Sequence, residues 1–174
     1  MKSLITHAGG ELVWSQPESS KREFELHDGT EVVARLRWNH PLGSLATGDS
    51  ADGSWTFKRA GFLRPRVSIR ITGSPDAIAQ YEAGWGGGGR LLYPDGHGYY
   101  WRQRSFWHNE WAFENERAEI VLRFRAELRF LKQEVQLNLG QASAGRIDRP
   151  VLALLGLYLM ILSNADADSV IAIG

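Results

Sequence analysis

The chain of 174 residues contains no cysteine, and its charges cancel, with 20 basic and 20 acidic residues. The lack of cysteine excludes disulfides, thiolate nucleophiles and zinc–thiolate sites, and it fits a reducing compartment. The balance of charge excludes a global field that attracts nucleic acid, although a local basic patch remains open. The first residues lack the apolar stretch and cleavage site of a secretory signal. We therefore expect a cytoplasmic protein of one domain, residues 1–174, with no nucleic-acid partner.

Long hydrophobic runs are also absent, with one exception near the end of the chain. Val151 to Leu162 carries no charge and no polar face. Asp148 can cap the start of a helix there, Pro150 fits its first turn, and Asn164 can adopt the left-handed conformation that ends it. The apolar part spans about 18 Å, which is too short for a bilayer core of about 30 Å, so we expect no transmembrane segment. A helix from Asp148 to Asn164 that is apolar on all sides must be buried by its own protein.

Short runs of alternating apolar and polar residues make up the rest of the chain, separated by Gly, Pro, Asp and Asn. This pattern is typical of strands joined by tight turns. The clearest hairpin is Arg22 to Trp38, where Asp28-Gly29 is a strong two-residue turn signal. The other predicted strands, which bring the total to about twelve, are Glu11–Trp14, Leu45–Thr47, Ser54–Arg59, Arg66–Thr72, Ala77–Glu82, Arg90–Tyr93, Gly98–Arg102, Glu110–Glu114, Glu119–Phe130, Leu131–Leu139 and Ser169–Ile173.

The two longest predicted strands meet with a change of phase near Phe130. Apolar residues are even-numbered before this point and odd-numbered after it. A bulge or bend between two strand segments explains the change, because one extra residue exchanges the two faces of a strand. A helix across Arg125 to Val135 is the alternative.

A barrel of about twelve strands has room for the apolar helix. Strands about 4.8 Å apart and tilted by about 40° close into a barrel about 24 Å across, wider than the eight-stranded barrels that side chains alone fill. Inward side chains leave a lumen of about 14 Å, close to the diameter of one helix, about 10–12 Å. The sequence therefore predicts an all-β protein with one central helix, in which a closed antiparallel barrel encloses Asp148 to Asn164.

The last part of the chain reads DRPVLALLGLYLMILSN followed by SVIAIG, an apolar helix and a short terminal strand after a strand-rich domain. This pattern resembles the tubby C-terminal superfamily, which includes tubby-like, LURP-one-related and phospholipid-scramblase-like proteins. The resemblance implies a twelve-stranded barrel around a central helix. It also implies phosphoinositide binding, as in tubby proteins, or a membrane-lipid role, as in scramblases.

Five cations lie within thirteen residues, around a predicted hairpin through Gly61 to Pro65; they are Lys58, Arg59, Arg64, Arg66 and Arg70. Arg66 and Arg70 fall on the polar face of their strand, and Phe62 and Leu63 form an apolar tip. Basic residues around an apolar tip suit an anionic membrane surface, where each cation contributes about 1 kcal/mol. We predict an anionic-ligand site here, and a solvated barrel face with acidic neighbours is the alternative.

A second cluster contains seven aromatic residues between Tyr99 and Phe113. Such rings stack on sugars and on single-stranded bases. The candidate aromatic cleft consists of Tyr99, Trp101, Trp107 and Trp111. Consecutive aromatic residues point to both faces of a strand, however, and a wide barrel needs large side chains against its helix. Core packing is therefore the favoured interpretation of this cluster.

Motifs for catalysis, metals and cofactors are lacking. No H-E-x-x-H and no G-x-S-x-G occurs, and the five histidines are scattered. Gly84 to Gly89 matches a dinucleotide-binding glycine pattern, but Pro94 comes too soon for the helix that must follow. Asn164, Asp166 and Asp168 begin like a calcium loop without its glycine or its final glutamate. We predict no catalytic residue, no metal and no cofactor.

The sequence therefore predicts a non-enzymatic binding domain. Its expected ligand is an anionic phospholipid headgroup at a membrane surface, bound peripherally, or else a protein partner. The alternative function is a small-molecule or carbohydrate binder, or an enzyme, that uses the aromatic cleft. An exposed pocket lined by two of these aromatic rings and a carboxylate favours the alternative, whereas packing of all the rings on the terminal helix removes it. A purely structural or partner-binding domain with no ligand is a third alternative.

Overall fold

A computed structural model describes residues 1–129, 132–142 and 147–171. Within these residues the chain forms twelve strands and one helix. The strands are β1 Leu12–Ser15, β2 Glu23–Asp28, β3 Glu31–Trp38, β4 Leu45–Ser50, β5 Gly53–Ala60, β6 Arg66–Ile71, β7 Ala77–Ala83, β8 Gly89–Leu92, β9 Gly98–Ser105, β10 Glu110–Glu114, β11 Ile120–Arg129 and β12 Lys132–Leu139, and the helix is α1 Arg149–Ile171.

The twelve strands form one closed antiparallel barrel. Each strand pairs with the next along the chain, and β1 closes the barrel by pairing with β12 as well as with β2. The predicted all-β barrel is therefore confirmed. Because consecutive strands are antiparallel, successive loops alternate between the two ends of the barrel. We call the end that carries the loops after the odd-numbered strands the mouth end, and the opposite end the entry end.

The change of phase near Phe130 is caused by a hairpin and not by the predicted bulge or bend. β11 and β12 pair with each other, with Phe124 opposite Leu137 and Arg129 opposite Lys132. The chain thus reverses between them, so the two runs are a hairpin, and the alternative helix across Arg125 to Val135 is wrong. Directly opposed residues share a face, so even-numbered residues of β11 match odd-numbered residues of β12. Residues 130 and 131 lie outside the described part of the chain.

Helix α1 begins where the sequence predicts. The backbone N–H of Leu152 donates to the carbonyl of Asp148 at 2.9 Å, which is the first helical hydrogen bond. The helix enters at the entry end, after β12, and runs through the barrel towards the mouth end. No helix among the described residues combines the length and the apolarity needed to cross a membrane.

The predicted end of the helix at Asn164 is wrong, because α1 continues to Ile171. The residues that follow Asn164 alternate alanine with aspartate, and alanine is the strongest helix former. The predicted terminal strand Ser169–Ile173 is wrong for the residues up to Ile171, which are helical, and residues 172–174 lie outside the described chain.

The core consists of the helix and the inner wall of the barrel, as predicted. Leu152, Leu154, Leu155 and Tyr158 of the helix are fully buried. The largest wall residues that are fully buried in the same cluster are Trp14, Phe57, Phe113 and Phe124. This packing positions the end of α1 in the mouth of the barrel.

Candidate functional site

The mouth end carries a group of exposed apolar side chains that we call the apolar rim. Each of them is at least 77% exposed. They lie in the loops β3–β4, β5–β6, β7–β8 and β9–β10, which follow one another around the barrel. The residues of the apolar rim are Leu42, Phe62, Leu63, Trp85, Phe106 and Trp107.

The two ends of the barrel differ in polarity. In the described chain, none of the loops that join two strands at the entry end carries an exposed large apolar residue. The exposed apolar residues at this end include Ile71 and Leu92, at the ends of β6 and β8, and Ile147, in the connection from β12 to α1. Within the described residues, the loops that join two strands at the mouth end hold three cations and one acid, whereas those that join two strands at the entry end hold five acids and one cation. These residues are Lys21, Arg22, Arg64 and Glu18 at the mouth end, and Asp52, Asp76, Asp95, Glu116, Glu119 and Arg117 at the entry end.

Turn geometry keeps the rim residues exposed. Gly61 has a φ of 87°, and a side chain there would meet the carbonyl oxygen of Arg64 at 2.9 Å. Only glycine fits this tight turn, which lifts Phe62 and Leu63 off the barrel. The β7–β8 loop is similar, because the two glycines after Trp85 also have positive φ angles. The rim is therefore a property of the loop backbone as well as of the apolar side chains.

The structure divides the five predicted basic residues among three places. Lys58, Arg64 and Arg66 are exposed on the outside of the barrel near the mouth end, and Arg66 pairs with Glu82 at 3.4 Å. Arg59 points into the mouth, as described below. Arg70 lies at the entry end of β6, where its Nε donates to the carbonyl of Pro75 at 3.0 Å.

Arg59 joins the barrel wall to the end of the helix. Its Nη1 and Nη2 donate to the two carboxylate oxygens of Asp166 at 2.6 and 3.1 Å. Its backbone N–H donates to the hydroxyl of Tyr158 at 3.1 Å, and that hydroxyl donates to the carbonyl of Ser44 at 2.6 Å. Burial raises the pKa of Tyr158 to about 12, so the phenol stays protonated as a donor.

Two cavities open beside the helix at the mouth end, and both are lined by Arg59 and Asp166. The rim pocket, of about 630 Å³, lies between the helix and strands β1, β2 and β12, and its lining includes Trp14, Arg22 and Leu42. The tryptophan pocket, of about 300 Å³, lies on the side of β6, β7, β9 and β10. Both volumes fall at or within the usual range for ligand pockets, about 300–1,000 Å³.

The four residues of the predicted aromatic cleft do not lie together. Trp101 and Trp111 are buried and stacked at 5.3 Å between ring centroids, and both line the tryptophan pocket. Trp107 is 90% exposed in the apolar rim. Tyr99 is buried towards the entry end, where its hydroxyl donates to Asp148 at 2.6 Å. Sequence reasoning missed that Trp107 and Phe62 lie at the same end of the barrel, although the alternation of loops between the two ends was a usable signal for it.

The entry end contains a polar cluster around Asp148. His97 forms hydrogen bonds with Asp95 through Nδ1 and with Asp148 through Nε2, the latter at 3.0 Å. Burial lowers the pKa of His97, but the two carboxylates raise it more strongly, so the pKa is raised overall. A cavity of about 1470 Å³ adjoins this cluster. In the described chain, no group of histidine and acidic side chains has the arrangement needed to hold a metal ion.

Comparison of the chain with protein-family models, with curated proteins and with solved structures found no match. The resemblance to the tubby C-terminal superfamily therefore stays a prediction.

Proposed function

We propose that the protein binds anionic membrane surfaces peripherally, by placing the apolar rim in the interface between lipid headgroups and acyl chains. The observation that carries this proposal is the concentration of six exposed apolar residues at one end of the barrel. Large exposed apolar patches are typical of interaction sites, and tryptophan favours the membrane interface. Two of the six rim residues, Trp85 and Trp107, are tryptophans.

The spacing of the loops supports a membrane rather than a narrow cleft as the partner. Neighbouring mouth-end loops are separated by two strands, or about 10 Å. The four apolar loops thus span an arc of about 30 Å around the barrel. Such an arc contacts several lipids at once, which matches the insertion of several separate tips into one surface.

The charges support an anionic membrane and set the orientation of the barrel on it. Lys58 and Arg64 are exposed near the rim, and neither has an acidic partner among the residues that the structure describes. A cation near an anionic membrane contributes about 1 kcal/mol to binding. The five acidic residues of the entry-end loops are on the far side of the barrel, where repulsion by the membrane is screened by salt.

Sedimentation with vesicles tests the proposal. We expect binding to phosphatidylserine vesicles and to phosphoinositide-containing vesicles that weakens from low to physiological salt, and weaker binding to phosphatidylcholine vesicles. Serine in place of both Trp85 and Trp107 should lower the bound fraction at every lipid concentration. Ile147→Ser is the matched control, because Ile147 is exposed next to the start of the helix at the entry end. Equal losses in the double variant and the control, or no binding at either salt, refute the proposal.

The tryptophan pocket supports a second candidate function, the binding of a small planar molecule or a sugar. Its lining includes Trp101, Trp111 and the carboxylate of Asp166, which is the combination of two rings and an acid expected for this alternative. Titration with monosaccharides and with free nucleobases, followed by tryptophan fluorescence, tests it. Saturable quenching that is lost in Trp111→Leu but kept in Trp107→Leu supports this function, and no saturable change with any of these compounds rejects it.

A further inference from the structure

The rim pocket has the composition of a site for an amphiphile. Its inner part is lined by apolar side chains from three strands and from the helix, including Phe24, Val135, Leu157, Met160 and Ile161. Its polar groups lie where the pocket meets the mouth end, and Leu42 belongs both to the pocket lining and to the apolar rim. An apolar interior with a few polar groups is the usual arrangement of a ligand pocket.

Arg22 provides a cation in this pocket without an acidic partner among the described residues. Its Nη1 donates to the carbonyls of Pro41 and Gly43 at 2.7 and 3.3 Å, and the guanidinium lies 4.5 Å from the centroid of the Trp38 ring. These contacts fix the side chain in place. Nε and Nη2 form no hydrogen bond within the described part of the chain, so they are available to an anion.

Among the described residues, two other polar side chains of the pocket are already paired, whereas the indole N–H of Trp14 is not. The second cation, Arg59, is paired with Asp166, and the amide of Gln16 donates to the carbonyl of Lys21 at 2.6 Å. Trp14 is 1% exposed, and its Nε1–H has no partner in the portion of the chain that the structure describes. A buried N–H without a partner is unfavourable, and an oxygen of a ligand that reaches Nε1 removes this cost.

We infer that the rim pocket binds a single-chain anionic amphiphile, whose carboxylate or phosphate pairs with Arg22 and whose alkyl chain lies between helix α1 and strands β1, β2 and β12. Arg22 supplies the charge complementarity, and the apolar lining accounts for the alkyl chain. The inference rests on the proposed function for the source of the ligand, because the pocket opens at the end of the barrel that faces the membrane. It deepens that function by naming one lipid chemistry.

Titration of the full chain with dodecanoate, below its critical micelle concentration, tests the inference. Binding is followed by calorimetry and by tryptophan fluorescence. We expect dodecanoate to bind more tightly than dodecanol or dodecyltrimethylammonium, which have the same chain with no charge or a positive charge. Acetate and inorganic phosphate, which offer an anion without the chain, should not bind measurably. Equal affinity for all three alkyl compounds, or no binding of any of them, overturns the inference.

Two variants locate the site. Arg22→Gln should weaken dodecanoate binding about tenfold or more, the effect of losing a charged hydrogen bond, and should leave dodecanol binding nearly unchanged. Arg117→Gln at the entry end is the matched control. Because Arg22 also holds the β3–β4 loop, Leu42→Asp is a second test: it places a carboxylate at a fully exposed position beside the pocket and should also weaken dodecanoate binding. Unchanged dodecanoate affinity in both variants overturns the inference.

Further measurements separate the pocket from the rim and identify the source of the ligand. The Trp85→Ser, Trp107→Ser protein should keep its dodecanoate affinity, because neither tryptophan lines the rim pocket. Loss of vesicle binding with intact dodecanoate binding thus shows an effect on the rim alone. Loss of dodecanoate binding with intact vesicle binding shows an effect on the pocket alone. Dodecanoate that displaces the protein from phosphatidate vesicles supports membrane lipid as the ligand. Binding of dodecanoate that does not compete with binding to phosphatidate vesicles supports a free fatty acid as the ligand.

Discussion

The guanidinium of Arg59 and the carboxylate of Asp166 form a bidentate ion pair that joins strand β5 to helix α1 across 107 residues of sequence. The pair lies at the mouth of the barrel and lines both cavities there. It holds the end of the helix in the mouth, and it neutralises a cation next to the proposed membrane-binding surface. The pair therefore links the fold of the protein to its proposed function.

Loss of the Asp166 carboxylate should strengthen binding to anionic vesicles. Asp166→Asn leaves Arg59 with an uncompensated charge, which adds about 1 kcal/mol to binding, a several-fold increase in affinity. The free energy of unfolding should change by less than about 1 kcal/mol, because the pair is partly exposed. Sedimentation and urea unfolding measure the two effects. Glu116→Gln at the entry end, with a similarly exposed carboxylate, is the control, and an equal gain in that variant contradicts the prediction.

Reversal of the charge at Arg64 should weaken binding to anionic vesicles. Arg64→Glu exchanges an attractive charge for a repulsive one, an effect of about 2 kcal/mol or roughly 30-fold in affinity at low salt. Arg66→Glu should have a smaller effect, because Arg66 is already paired with Glu82. Arg117→Glu, at the entry end, should leave binding unchanged. Vesicle affinity that does not respond to Arg64→Glu argues against the basic mouth as the membrane-facing surface.

Removal of the Tyr158 hydroxyl should destabilise the barrel. Tyr158→Phe leaves the N–H of Arg59 and the carbonyl of Ser44 without their buried partner, which costs about 1–3 kcal/mol. Urea unfolding measures this change. Tyr100→Phe is the control, since the Tyr100 ring lies outside the barrel core under two arginines. A similar loss in both variants indicates that the hydrogen bonds of Tyr158 are not the cause.

Addition of one methyl group at Gly156 should destabilise the protein. A Cβ at this position would overlap the ring of Phe124, so Gly156→Ala forces the helix and the wall apart. We expect a loss of about 1–3 kcal/mol from overpacking, although alanine favours a helix by about 1 kcal/mol over glycine. Phe124→Leu should partly restore stability in the double variant, as a double-mutant cycle will show. A Gly156→Ala protein more stable than the parent disproves the close contact.

The contribution of His97 to stability should decline as pH rises. The pKa of His97 is raised in the folded protein, so its stabilising charge is fully present below the unfolded value of about 6.5. The contribution is then lost as pH rises through the folded pKa. Unfolding free energies of the parent and of His97→Gln, measured from about pH 6 to about pH 9, should converge at high pH. His40→Gln, an exposed change at the mouth end, is the control, and a constant difference between parent and His97→Gln across this range contradicts the prediction.

Local patterns in the sequence were sufficient for most of the strands and for the enclosed helix. Alternation with a period of two and an Asp28-Gly29 turn predict strands because these signals act over a few neighbouring residues. They were ambiguous at the β11–β12 connection, since a reversal and a bulge both shift the phase by one residue. They also misplaced the helix end, because Asn164 is a weak stop when alanines follow and Arg59 binds Asp166 two residues further along.

The candidate site was harder to predict, because its residues meet only through the barrel. Lys58 and Arg59 are neighbours in sequence, yet one faces outward and the other faces the helix end, since successive strand residues alternate. Trp101 and Trp107 belong to the same aromatic cluster in sequence, but the first is core and the second is rim. Arg22 and Trp14 belong to no sequence motif that predicts a site, and the pocket that they share depends on the path of the helix.

Periodicity and turn chemistry were sufficient to predict a barrel of about twelve strands around an apolar helix, because these signals are local and the helix has no polar face to expose. The assignment of each loop to one end of the barrel required the tertiary structure, which places the six residues of the apolar rim at the same end as Lys21, Arg22 and Arg64, opposite the acidic loops of the entry end. The loops are ordered in this way because the sheet closes into a barrel. Strand pairing over long distances orders the loops in space, and no short segment of sequence contains that order.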